Sequence, residues 1–144
     1  MCNYICRAKR LDNGDWVEGY YVFDKVPLIV KDLRAMVRED VELVNIFAVK
    51  DGTVCRAVGR NDKNSRTIFE GDVVAYFGDW KYVVRYGEFN GQVGLGYYYG
   101  IGFYIERISD PTHRVPLSSV SCDNGEYEVV GNIYDNPELL AIGD

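Results

Sequence analysis

Short segments with alternating apolar and polar residues, separated by turn residues, recur along this chain and restrict it to a mainly β fold. Alternation is clear in 4–9 and again in 80–86, which is the pattern of strands with one buried face. Asn13-Gly14 and Gly78-Asp79 lie in the connections, and such residues tolerate the backbone angles of tight turns. The chain has twelve Tyr and fifteen Gly but only two Met, which favours strands and turns over a helical bundle.

The alternation predicts the main strands. A β-hairpin is expected from 4–9 and 16–23 around a turn at 12–15, and two or three consecutive antiparallel strands are expected over 67–86. The stretch 89–104 is dominated by Gly and Tyr, which predicts a twisted strand with glycine bulges. Glu126–Tyr134 alternates again and is expected to be a closing strand.

One or two short helices are predicted, so the mainly β fold is α+β by a strict count. In Lys31–Val44, apolar residues recur at spacings of three and four and share one helical face. The next segment, Asn45–Val49, could form a strand or continue this helix. Near the end, Asn136 is a suitable N-cap and Pro137 a suitable first residue for a helix over Pro137–Leu140.

Charge is distributed unevenly along the 144 residues, a length typical of one domain. The formal net charge is −6. Up to Asp72 there are 12 basic and 12 acidic residues, whereas from Val73 onward there are 4 basic and 10 acidic. This balance argues against a large non-specific nucleic-acid surface, and it leaves only the first half able to meet a polyanion.

Targeting and cysteine signals are absent from the sequence. No apolar stretch approaches the ~18–20 residues of a membrane span, and Met1–Arg7 does not resemble a secretory signal. The four cysteines, at positions 2, 6, 55 and 122, lack the paired spacing of a zinc site. We therefore expect reduced thiols, a cytoplasmic location, and neither a metal site nor a cofactor.

Tyr97-Tyr98-Tyr99 is the candidate binding surface. On a strand, Tyr97 and Tyr99 point to one face and Tyr98 to the other. Stacked tyrosine rings can hold bases or sugars when basic residues accompany them. Basic residues are scarce in this half of the chain, so core packing and cross-strand aromatic pairs are the simpler explanation.

The sequence contains few residues that could form a catalytic site. Glu70 and Asp72 flank one glycine and would share a strand face, as a metal site or an acid–base pair requires, but no neighbouring residue completes a ligand set. A nucleophilic site would need His113, the only histidine, and no nucleophile-elbow motif surrounds the serines at 118, 119 and 121. Strand-entry and loop roles explain these residues more simply.

Two segments are more specific than any general pattern. Gly59–Asn64, followed by Ile68–Val74, resembles the hallmark segment of the YopX family, and Val129–Leu140 is similar to its closing signature. The opening segment, Arg7–Gly19, also resembles the family's first hairpin. Together these matches extend over about residues 4–140, and they occur in the same order as in the family. Two departures stand out: Ser65 occupies a position where the family commonly has Gly, and Val58 replaces the usual Thr before Gly59.

The resemblance implies a single YopX-like domain over 1–144, with an N-terminal hairpin lobe (1–58) and a lobe resembling a small SH3-like barrel (59–144). It also implies an origin in phages, prophages or bacterial mobile elements, and it carries over no catalytic residue. Our leading hypothesis is a non-enzymatic accessory protein that acts through contacts with an unknown protein partner and self-associates as a homo-oligomer.

Two alternatives come from other classes. A nucleic-acid-binding SH3-like module would use Arg7, Lys9, Arg10 and the tyrosine strand, although the net charge disfavours it. A metal-dependent enzyme would use Glu70 and Asp72.

Overall fold

Most of the chain is strand. A computed structural model describes residues 5–31, 46–76, 78–93 and 96–141, and eleven strands are found within those ranges, which confirms the mainly β fold. The strands are β1 (Ile5–Lys9), β2 (Trp16–Asp24), β3 (Val26–Val30), β4 (Ile46–Ala48), β5 (Cys55–Asn61), β6 (Thr67–Phe69), β7 (Asp72–Tyr76), β8 (Trp80–Val93), β9 (Gly96–Arg107), β10 (Arg114–Pro116) and β11 (Tyr127–Asn132).

Helical structure is limited to two short segments in the described part of the chain. Helix α1 (Ser119–Asp123) begins at Ser118, whose side-chain oxygen accepts the N–H of Ser121. A 3₁₀ helix, Pro137–Leu140, forms where the terminal helix was predicted. The predicted helix over Lys31–Val44 lies, apart from its first residue, outside the described residues.

The chain divides into two compact units, 1–57 and 58–144. In the first unit, β4, β3, β2, β1 and the start of β5 lie side by side and antiparallel. The predicted opening hairpin is confirmed, with β1 and β2 paired from Ile5↔Tyr20 to Lys9↔Trp16. The core of this unit lies on one sheet face and includes Ala8, Val17, Ile29 and Val49.

The second unit contains an antiparallel sheet of order β10-β9-β8-β7-β11. Its core includes Ile68, Val74, Val84, Ile105 and Tyr127, all fully or nearly fully buried. The described strands leave this sheet open, because β10 and β11 are edge strands that do not pair with each other. The expected SH3-like closure is therefore not found among the described strands: β8 and β9 extend beyond their short neighbours, and β6 pairs with β5 instead.

Several predicted boundaries shift. The expected polar turn at 59–64 begins three residues later, because β5 runs through Asn61. The Gly- and Tyr-rich stretch 89–104 is not one bulged strand. It is the distal part of the β8–β9 hairpin, paired without a register shift from Tyr82↔Arg107 to Val93↔Gly96.

Candidate functional site

The distal part of the β8–β9 hairpin carries the candidate tyrosines. We call residues 86–93 and 96–103 the arm. Strand β7 pairs only with β8 residues 80–83, and β10 pairs only with β9 residues 104–106. Beyond these pairs, no other described strand is paired with the arm, which continues as a two-stranded ribbon.

Two glycines face each other near the base of the arm. Gly87 is paired with Gly102, and their φ angles are +147° and +149°. L-residues with a Cβ rarely adopt such angles, so this ladder position requires glycine on both strands. The register of β8 and β9 is unbroken across this pair.

One face of the arm is covered by aromatic packing. The ring of Phe89 is buried and stacks on Tyr104, with centroids 4.7 Å apart and planes at 25°. It also lies over Gly100, where a Cβ would come within 3.0 Å of the ring. Gly100 therefore leaves the space that the Phe89 ring fills, a packing of aromatic on glycine that fixes register.

The other face is an extension of the core. Val84 and Ile105 are paired and buried, and the next pair along this face, Tyr86 and Phe103, has rings in edge contact at 4.9 Å. Further out the same face becomes exposed: Ile101 is 67%, Tyr99 63% and Tyr97 75% accessible. We call Tyr97, Tyr99 and Ile101 the exposed arm face.

Tyr97 and Tyr99 are thus on one face, as strand alternation predicts, and they do not pack in the core. Tyr98 lies on the same strand, but its side chain is outside the described part of the structure. Desolvation raises the pKa of Tyr99, and the nearby Glu88 carboxylate raises it further. Tyr99 is therefore neutral over the physiological range and presents an exposed, uncharged ring.

The turn after β5 depends on one buried carboxylate. Asp62 Oδ1 accepts the backbone N–H groups of Asn64 and Arg66 at 2.9 and 2.8 Å. Its Oδ2 accepts the N–H of Val129 on β11 at 2.9 Å. The carboxylate is 5% exposed, and both oxygens are occupied by backbone donors. Asp62 therefore has a structural role, and it connects the two segments that carry the sequence resemblance.

The pair Glu70 and Asp72 does not form an open carboxylate site. Asp72 is fully buried, and its Oδ2 accepts the backbone N–H of Phe69 at 2.8 Å. Glu70 lies in the turn before β7 and is half-buried. Within the residues that the structure describes, no three His, Cys, Asp or Glu side chains are grouped as metal ligands. The imidazole ring of His113 lies beside the ring of Tyr82, with the two ring centroids 5.9 Å apart.

A shallow pocket of about 290 Å³ lies beside this turn, lined by residues 59–62, Cys122 and Asp123. Arg60 and Asp123 form an ion pair in its wall at 3.5 Å. Burial raises the pKa of the Cys122 thiol. Because the thiolate is the reactive form, the pocket holds no activated nucleophile. Of the four cysteines, the three that are described, Cys6, Cys55 and Cys122, are buried free thiols.

The basic residues of the nucleic-acid hypothesis lie in the first unit. The Arg7 guanidinium is 4.5 Å and the Lys9 ammonium 5.2 Å from the centroid of the Trp16 ring. Arg10 stacks on Phe47 at 4.6 Å and makes a two-pronged ion pair with Asp12. This ion pair lowers the pKa of Asp12. Arg7 and Lys9 thus form a basic–aromatic surface, whereas the charge of Arg10 is neutralised.

Comparison with known proteins gives the family. The model of the YopX protein family matches residues 7–141. This match spans nearly the whole chain, so the protein belongs to the YopX family. A comparison with curated proteins finds no match. None of the described helices is long and apolar enough to cross a lipid bilayer.

Sequence reasoning missed the exposure of Ile101 and the role of the two opposed glycines. Ile101 lies two residues after Tyr99, so strand alternation was the signal that would have added it to the exposed face. The pairing of Gly87 with Gly102 depends on the register of β8 and β9, which residue alternation alone does not set.

Proposed function

We propose that this protein is a non-enzymatic accessory protein of phage or mobile-element origin, and that it acts through protein–protein contacts made by the exposed arm face. The origin rests on membership of the YopX family. The contact role rests on one observation: the face that carries core residues Val84 and Ile105 continues outward as exposed Ile101, Tyr99 and Tyr97.

The chemistry of this face suits a protein partner. Aromatic residues are enriched in protein interfaces, where they supply large contact area at small entropic cost. The three side chains of the exposed arm face are uncharged, and the charged residue beside them is Glu88 of β8, which is paired with Ile101. A partner that covers these three side chains would therefore bury apolar and aromatic surface, with Glu88 at the rim of the contact.

One of the two carboxylates considered for catalysis supports the non-enzymatic part. Asp72 is buried and uses its Oδ2 to accept the backbone N–H of Phe69. We expect no change of melting temperature with Mg²⁺, Mn²⁺ or Ca²⁺. A rise with one of these ions that disappears in Glu70→Gln would favour the metal-dependent alternative.

Affinity capture from the native host tests the contact role. The tagged protein is compared with the double variant Tyr97→Ser/Tyr99→Ser and with a matched control, Leu11→Ser/Phe23→Ser, which removes two exposed apolar side chains from the first unit. We expect specific partners to be retained by the control and lost from the arm variant. Equal capture by all three proteins would contradict the proposal, provided circular dichroism shows that all three fold.

A second candidate function is nucleic-acid binding through the basic–aromatic surface. The observation in its favour is the placement of the Arg7 and Lys9 cations over Trp16, since cationic and aromatic groups together hold single strands. It predicts binding of a single-stranded oligonucleotide at ~50 mM salt that weakens steeply as salt rises. Binding should be lost in Arg7→Gln/Lys9→Gln; no binding by micromolar wild-type protein excludes this function.

A further inference from the structure

The outer edge of β9 has the features of an unsatisfied pairing surface. Strand β10 covers β9 only at residues 104–106, and just beyond it the N–H of Leu117 donates to the carbonyl of Phe103. From residue 102 outward, none of the described strands pairs with this edge. Within the described part of the chain, the edge is therefore open where it carries the exposed arm face.

The direction of the free backbone groups follows from the hydrogen bonds that are present. The N–H of Arg107 donates to His113, and the carbonyl of Phe103 accepts from Leu117, so both residues direct polar groups to the outer edge. Backbone groups of successive residues point to opposite edges of a strand, with a period of two. Residues 101, 99 and 97 therefore direct their N–H and C=O groups to this same edge.

Natural edge strands are usually protected by charges, proline or shortness. Strand β10 shows such protection, because it has three residues and includes Arg114 and Pro116. The outer part of β8 carries Arg85 and Glu88. In contrast, residues 96–105 of β9 include neither a charged residue nor a proline. The β9 edge is thus long and neutral, and no described strand covers it beyond β10.

We propose that this edge pairs antiparallel with the β9 edge of a second copy of the chain, about a twofold axis at Tyr99. The inference rests on the proposed contact function of the arm and names its partner. In this register Tyr99 faces its symmetry mate and Tyr97 faces Ile101 of the second copy. Each of these pairs exchanges two backbone hydrogen bonds, because the participating groups all point outward.

The side chains favour this register. Directly opposed residues of antiparallel strands lie on the same face. Tyr99 then meets Tyr99 of the second copy, and Tyr97 meets Ile101, which are aromatic–aromatic and aromatic–β-branched pairs of the stabilising kind. No charge faces a like charge across the junction, since 96–105 is uncharged in both copies. A closed twofold pairing also covers the same edge on both partners, which limits assembly to a dimer.

The test uses charge at the symmetry axis. Sedimentation equilibrium at several concentrations measures wild type, Tyr99→Glu, Tyr99→Lys, and an equimolar mixture of the two variants. Each variant alone places like charges opposite each other, so we expect dimerisation at least about tenfold weaker than in wild type. In the mixture Glu meets Lys, and a dimer should return. Leu11→Lys, which adds charge at an exposed site in the first unit, should dimerise like wild type.

The other outcomes overturn the inference. A wild type that is monomeric at every concentration, or variants that dimerise as strongly as wild type, would refute pairing through β9. Variants that stay monomeric after mixing would refute the register centred on Tyr99. A monomer whose capture of host proteins still depends on Tyr97 and Tyr99 would refute self-pairing alone and leave the proposed contact function standing.

Discussion

The buried carboxylate of Asp62 is expected to be a major determinant of stability in the second unit. It accepts three backbone N–H groups, two at Oδ1 and one at Oδ2, all within 2.9 Å. Asp62→Ala removes all three acceptors and leaves the donors without a partner. An unsatisfied buried donor costs about 1–3 kcal/mol, and relaxation lets water reach some of them, so we expect a loss of about 3–5 kcal/mol.

Asp62→Asn distinguishes the contribution of Oδ1 from that of Oδ2. Its amide oxygen replaces Oδ1 and keeps the bonds from Asn64 and Arg66, but its NH₂ group then faces the N–H of Val129. One of the three hydrogen bonds is lost and two donors are opposed, so we expect a loss of about 1–3 kcal/mol. The order of stability should therefore be wild type, Asp62→Asn, Asp62→Ala.

Urea denaturation followed by Trp80 fluorescence measures these differences. A Trp16→Phe background leaves Trp80, in the second unit, as the single tryptophan. Asp79→Ala, at an exposed turn position between β7 and β8, is the matched control and should change stability by less than about 0.5 kcal/mol. If Asp62→Ala unfolds at the same urea concentration as Asp79→Ala, the assigned role of the carboxylate is wrong.

Three further substitutions test other features of the second unit. Ser65 has φ = +64°, and this left-handed conformation costs a residue with a Cβ about 1–2 kcal/mol. Glycine adopts it without that strain but loses about 0.5–1 kcal/mol in chain entropy on folding. Ser65→Gly should therefore raise the free energy of unfolding by about 0.5 kcal/mol in urea melts, and a decrease would contradict this. Burial raises the pKa of Tyr127 to about 12, so the folded state keeps a proton that the unfolded state loses near pH 10, and stability should fall as pH rises from about 10 to about 12. The Tyr127 hydroxyl accepts the N–H of Ser118, so Tyr127→Phe should lower the free energy of unfolding by about 1 kcal/mol at pH 7. The variant should also lose less stability than wild type as pH rises to about 12. Parallel pH profiles of the two proteins would show that Tyr127 does not cause the loss at high pH. Gly131→Ala would place a Cβ 2.6 Å from Asn136 Oδ1, so thermal melts should show a loss of about 1–3 kcal/mol, and an unchanged melting temperature would show that the contact is not tight.

The strands were predictable where one face is buried and turn residues separate the runs. The opening hairpin follows from Asn13-Gly14 and the alternation on either side, and the structure pairs the same residues. The turn at 59–64 was placed too early because Gly59 reads as a turn signal. In the structure Gly59 has φ = +87° and still lies within β5, so tertiary pairing outweighed the local signal.

The exposed arm face could not be predicted in full from the sequence. Strand alternation placed Tyr97 and Tyr99 on one side, but exposure depends on how far neighbouring strands extend along β9. Strand β10 is short and its pairing with β9 ends at Tyr104. The sequence of residues 96–103 does not indicate where the neighbouring strand ends. Core packing was therefore a reasonable expectation for tyrosines that the structure leaves accessible.

The pairing of β7 with β11 has a consequence for synthesis of the chain. The two strands pair from Tyr127↔Tyr76 to Asn132↔Asp72, so each partner lies more than 50 residues away. At a translation rate of about 5–20 residues per second, the outer edge of β7 waits about 3–10 s for its partner to be made. Throughout this interval the Asp62 carboxylate also lacks its donor from Val129. The segment that carries the closing signature therefore completes the second unit, and until it emerges from the ribosome the nascent chain displays an open strand edge to chaperones and proteases.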